Sequence, residues 1–127
     1  MNDRFKFRTW NFIVNRYQYF DFNNFAKMDH DTIQWHILKL EQCTGLKDKN
    51  DRLIYEGDIV KRHSKYSEEE KDAILQVEWN CKCGRYITTD KKRDNWFFSM
   101  FDYEYEVIGN IHENPELLED NNVQRKR

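Results

Sequence analysis

The chain has 127 residues and a formal net charge of −2, with 39% hydrophobic, 16% aromatic and 35% charged residues. That length suits one domain with a core of moderate size, filled largely by rings. The charge balance argues against a simple nucleic-acid binder, and no apolar run approaches the length of a membrane helix or forms a signal core, so a cytoplasmic protein is expected.

Phe5, Phe7 and Thr9 alternate with Lys6, Arg8 and Trp10, which predicts a strand with one apolar face. Asn11 is expected to turn the chain and Phe12-Ile13-Val14 to pair back, with a further strand from Tyr17 to Phe25. Asp29 to Leu40 fits two readings. Asp31 caps a helix with Ile33, Ile37 and Leu40 on one face, or Ile37 to Gln42 forms a strand.

Thr44-Gly45 is a turn signal, because glycine reaches positive φ freely. Lys47 to Asp51 is a polar turn run, Leu53-Ile54-Tyr55 a β-favouring triplet that should bury, and Glu56-Gly57-Asp58 a second turn that opens a strand at Ile59-Val60. The strand runs from Asp58 to Arg62, and Ser64 to Asp72 is a charged loop. Ala73, Leu75, Val77 and Trp79 alternate with Ile74, Gln76 and Glu78, the clearest strand in the chain. Asn80 to Gly84 turns, Arg85 to Thr89 and Trp96 to Phe101 are strands around a charged hairpin at Asp90 to Asn95, and Tyr105 to Ile111 is the last core strand. Asn114-Pro115 then caps one short helical turn before a polar tail from Glu119, read as disordered.

Two of these stretches, QCTGLKDKNDRLIYEGDIV at Gln42 to Val60 and EVIGNIHENPELL at Glu106 to Leu118, together with Phe7-Arg8-Thr9-Trp10, resemble the YopX family of small bacteriophage and prophage proteins. Cys43, Asp51 and His112 depart from it where the family favours an aromatic, a glycine and a tyrosine. Aspartate tolerates positive φ less well than glycine, so the family's turn type does not carry over to Asp51 from the resemblance alone. The resemblance implies a mainly β fold with minor α content. It would be an SH3-like barrel or roll over about 44–118, with additional N-terminal β-strands over 1–43 packing on or extending it, a short C-terminal helical turn and a disordered tail at 119–127.

Three cysteines, an odd number, fit free thiols in a reducing compartment. Cys81 and Cys83 are spaced C-x-C without a second pair, so a turn carrying two reduced thiols is favoured over zinc. Within the acidic set Asp48, Asp51, Glu56 and Asp58, Asp48-x-Asn50 starts like a calcium loop, but Leu53 and Ile59 stand where it needs glycine and glutamate; turn chemistry is the simpler role. No nucleophile motif or phosphate loop is present, and His30, His36, His63 and His112 have no recognisable partners in sequence.

Lys91, Lys92 and Arg93 followed by Trp96 form the best nucleic-acid signal, although Asp90 and Asp94 flank them. The rings outnumber what one small core holds, so Trp10, Tyr17, Tyr19, Trp35 and Tyr103 are expected to form a protein interface. The leading expectation is a non-enzymatic interaction protein in the host bacterial cytoplasm, without cofactor or membrane contact. It would bind a host or phage protein, with homo-oligomerisation as a further expectation. A nucleic-acid-binding accessory protein is the alternative, and a metal-dependent enzyme comes third.

Overall fold

Strand β1 (Phe7–Asn11) sits between two neighbours and organises the first sheet. It pairs antiparallel with β2 (Arg16–Phe20) on one side and with β3 (Leu40–Lys47) on the other, and β3 continues to β4 (Leu53–Tyr55). The second sheet is built from β5 (Asp58–Ser64), β6 (Ala73–Asn80), β7 (Arg85–Thr89), β8 (Asn95–Phe97) and β9 (Tyr103–Asn110). Its order is β8-β7-β6-β5-β9, and all its pairings are antiparallel. The computed structural model describes residues 3–21, 23–24, 27, 29, 40–90 and 95–119.

The protein is therefore mainly β, and among the described residues there are a 3-10 turn at Asp3–Phe5 and helical residues at 23–24 and 116–119. The core joins Ile54 of β4 to Val60, Ala73, Leu75, Val77, Tyr105 and Val107, with Leu46, Trp96, Phe98 and Tyr103 packed against it. The alternation read in β6 holds for Ala73, Leu75 and Val77, whereas Trp79 at the end of the row is 44% exposed.

The β1–β2 connection differs from its expectation. Phe12, Ile13 and Val14 form the turn itself, not a returning strand. Asn11 Oδ1 accepts the backbone N–H groups of Ile13 and Val14, and Asn15 takes φ 53°. This side-chain-to-backbone bonding outcompetes the apolar triplet's strand propensity. The β2 strand ends at Phe20 instead of Phe25.

Thr44-Gly45 is likewise no turn. It lies inside β3, where Gly45 takes φ 86° and the pairing with β4 shifts register, a bulge that glycine permits. The strand reading holds from Leu40, and its helical alternative lies largely outside the described residues. The expected boundary at 43/44 falls within β3, a strand bonded to β1 on one side and β4 on the other.

The polar run after β3 does turn. Asp48 Oδ1 accepts the N–H groups of Asn50 and Arg52, and Asp51 adopts φ 66° despite its side chain. Asp48 also reaches the second sheet, where Oδ2 accepts Val107 N–H at 2.9 Å and the neighbouring Lys49 N–H bonds Tyr105 O at 2.8 Å. Strand β8 is shorter than expected, ending at Phe97, because residues 98–102 form a loop. Asn114 opens the last turn, its Oδ1 accepting Asn110 N–H and its carbonyl accepting Leu117 N–H. The tail from residue 120 lies outside the described residues.

Candidate functional site

Two of the three stretches singled out in the sequence meet at one side chain, and the third joins them through Glu41. Arg8, on the central strand β1, is only 2% exposed. The alternation placed it on a polar face, but β1 is covered on both sides and its three middle residues are all buried. A buried guanidinium requires partners, and the fold supplies them from distant segments. Arg8 Nε donates to Glu41 Oε1 at 2.8 Å, and Nη2 donates to Asp58 Oδ1 at 2.8 Å and to Glu56 O at 3.1 Å. The rings of Tyr17 and Tyr55 close over the guanidinium at 3.8 and 4.8 Å, a cation–π arrangement.

The network continues through the second oxygen of Glu41, which lies 3.0 Å from His112 Nε2. The His112 ring stacks on Trp10 with centroids 5.1 Å apart and planes 5° from parallel. Asn110 places it, because Asn110 Oδ1 accepts the N–H groups of both His112 and Glu113. Gly57 lies so close beneath Glu41 that a Cβ there would come within 2.7 Å of Oε2.

Burial works against the Arg8 charge, but the facing Asp58, Tyr17 and Glu41 outweigh it and the guanidinium holds its proton more tightly than usual. Burial pushes the Asp58 carboxyl up, and Arg8 and the Tyr55 N–H pull it back without cancelling the rise. Burial also drives the Tyr17 phenol well above its ordinary range. Each ion in this cluster is satisfied by another. Arg8 and Glu41 from the first sheet, Asp58 from the second and the turn after β9 are thereby locked together.

Beside this lock, two adjoining clefts of about 280 and 290 Å³ share Glu56 and Trp79. Glu41 and Glu78 line the first, Gln42 and Tyr86 the second. Burial raises the Glu56 carboxyl above its ordinary value, with Glu41 and Glu78 adding repulsion. Among the described residues, no group of three or more His, Cys, Asp or Glu is arranged to hold a metal. No described helix is long and apolar enough to cross a membrane.

The expected contact residues scatter. Trp10 is 6% exposed and spent on stacking, which removes it from the surface set. Tyr17 is half-buried over Arg8, and Tyr103 is half-buried with its ring on Arg62 at 4.3 Å. Tyr19 is 57% exposed, its ring edge on Tyr55. Trp35, Lys91, Lys92 and Arg93 lie outside the described residues, while Trp96 is half-buried against the core beside Arg62. Cys81 and Cys83 are exposed free thiols in the β6–β7 turn, and Cys43 is buried. Asp48 and Asp58 are buried and bond backbone N–H groups, the turn chemistry expected of them.

Two features escaped the sequence reading. One is the Arg8–Glu41 pair, whose members are 33 residues apart. The other is an exposed ring pair, Tyr66 with Phe101, carried on separate loops of the second sheet. Tyr66 sits within a charged run, and an aromatic in such a run was the available signal.

The model of the YopX protein family matches residues 6–119. The crystal structure of protein EF1440 from Enterococcus faecalis is similar, with a TM-score of 0.54 and 27% identity over 89% of this chain and 96% of that one. Comparison with curated proteins finds no match.

Proposed function

Because this chain belongs to the YopX family, we propose that it is a non-enzymatic interaction protein of a bacteriophage or prophage, acting in the cytoplasm of its bacterial host by binding a host or phage protein. The second sheet is read as an SH3-like roll and the first as its N-terminal extension.

The observation that carries this reading is how the polar and aromatic groups are divided. The ionisable groups that a catalyst would present, Arg8, Glu41, Asp58 and His112, are committed to one another and hold the two sheets together. Large apolar side chains meanwhile stand in solvent. Phe12 is 58% exposed, Tyr19 57%, Tyr66 70% and Phe101 76%. Exposed rings on a hydrogen-bonded scaffold support protein contact, where aromatic anchors dominate binding energy.

The test is an affinity capture of tagged protein from bacterial lysate, with and without nuclease. One protein retained in stoichiometric amount after nuclease treatment supports the reading. Retention that disappears with nuclease favours nucleic acid instead, and an empty eluate in both lanes counts against it.

A further inference from the structure

The loops 65–67 and 98–102 are knitted together. Lys65 N–H bonds Asp102 O at 2.9 Å, and Lys65 Nζ reaches Met100 O at 2.7 Å. Ser64 Oγ accepts the N–H groups of Tyr66 and Ser67, and Ser99 Oγ donates to Asp102 Oδ2 at 2.8 Å. Ser99 is itself tied to the core by its N–H to Tyr105 Oη. On this braced platform the Tyr66 and Phe101 rings lie 5.9 Å apart, with Met100 beside Phe101 in sequence and 37% exposed. The loops that carry the rings are braced by hydrogen bonds, so less backbone ordering has to accompany binding, which favours it.

The charges on the same two segments are mostly of one sign. Residues 64–72 and 98–102 carry Glu68, Glu69, Glu70, Asp72 and Asp102 against Lys65 and Lys71. Lys65 is drawn onto the Met100 carbonyl, and Asp72 is matched by Lys61 and His63. Two other exposed apolar sites, Phe97 and the Phe12–Val14 tip, have basic neighbours instead. Phe97 lies under the Arg85 guanidinium at 4.0 Å, and the Phe12–Val14 tip leads into Arg16.

We propose that the Tyr66–Phe101 ridge is a docking knob for a partner protein whose contact face is an apolar pocket rimmed by lysine or arginine. This rests on the interaction reading above and supplies its partner chemistry. The acidic collar argues the choice of occupant. It repels the phosphates of nucleic acid and of anionic membranes, and it complements a basic protein surface.

The probe is a fluorescein-labelled amphipathic helical peptide of leucine and lysine, followed by anisotropy, with a leucine–glutamate peptide as control. Wild type is expected to bind the basic peptide and to ignore the acidic one. The exposed double variant Tyr66→Ser/Phe101→Ser keeps the wild-type circular dichroism and weakens binding at least tenfold. The triple variant Glu68→Gln/Glu69→Gln/Glu70→Gln also weakens it and flattens its salt dependence.

Equal binding of both peptides, or binding unchanged in the ring variant, overturns the proposal. So does a wild-type dimer in sedimentation that the ring variant dissolves, which would make a second copy the occupant, or binding to anionic phosphatidylserine vesicles. If the ring variant still captures the lysate partner, the knob is wrong and the interaction reading stands; if wild type captures none, the interaction reading itself fails.

Discussion

Replacing Arg8 by methionine removes the charge at the centre of the lock while keeping much of the side-chain volume. Glu41 and Asp58 remain buried, at 8% and 2% exposure, with their cation gone. Summing three bonds at charged-group values would overstate the loss, because the guanidinium's own desolvation cost is recovered. Breaking a buried ion network by removing one partner costs about 3–5 kcal/mol, and with Asp58 stranded and Glu41 left to His112 alone we expect about 4 kcal/mol. That is a large part of the roughly 5–15 kcal/mol that stabilises a domain. With a urea slope of about 1.5 kcal/mol/M, the midpoint followed by tryptophan fluorescence falls by about 2–3 M.

The triple variant Arg8→Met/Glu41→Gln/Asp58→Asn neutralises the stranded acids and should recover about half of the loss. Unpaired buried carboxylates have raised pKa values, so their protonation supports the fold. The Arg8→Met deficit therefore shrinks as pH falls from 7 toward the ordinary carboxylate range. A midpoint shift worth less than about 1 kcal/mol, or a triple variant no more stable than the single, refutes the claim that charge pairing at Arg8 holds the sheets together.

Gly57→Ala places a Cβ against Glu41 at a φ of 86°, where the backbone strain alone costs about 1–2 kcal/mol; a melting temperature unchanged from wild type would contradict this. Asp48→Asn turns one of the two carboxylate oxygens, which together accept three backbone N–H groups, into a donor and should cost about 1–3 kcal/mol, with hydrogen exchange at the Val107 amide as the local readout. Burial pushes the Tyr55 and Tyr86 phenols up to about 12 from the ordinary 10. Their contribution to stability is fully present below pH 10 and is lost as pH rises through 12, because the unfolded chain releases these protons first. Phenolate absorbance should show the late titration, and denaturant midpoints should decline over the same window.

The strands legible in the sequence are those whose own residues decide their placement. Ala73, Leu75 and Val77 alternate because β6 has one face on the core, and Leu53 to Tyr55 buries because turns fix both its ends. Local side-chain bonding misled where it competes with propensity. Asn11 makes a turn of an apolar triplet, and Gly45 makes a bulge of an expected turn. The lock was not legible, because the cost of burying Arg8 is met by Asp58, 50 residues away, and no local pattern reports such a partner. The surplus of rings was visible in composition. Which rings stay outside was not, since Trp10 is claimed by a histidine from the other end of the chain and Phe101 is held out by a loop.

The 48–52 turn has a consequence for how molecules of this protein meet. Strand β9 ends its sheet, and a terminal strand with free backbone groups is a template on which another chain can add a strand. Here Tyr105 O and Val107 N–H, on the side away from β5, are already taken by Lys49 N–H and Asp48 Oδ2. The longest terminal strand of the second sheet is thus closed to edge-to-edge aggregation by the chain's own turn, with no proline in the strand. Growth of that sheet is left to the three-residue β8, too short to template much.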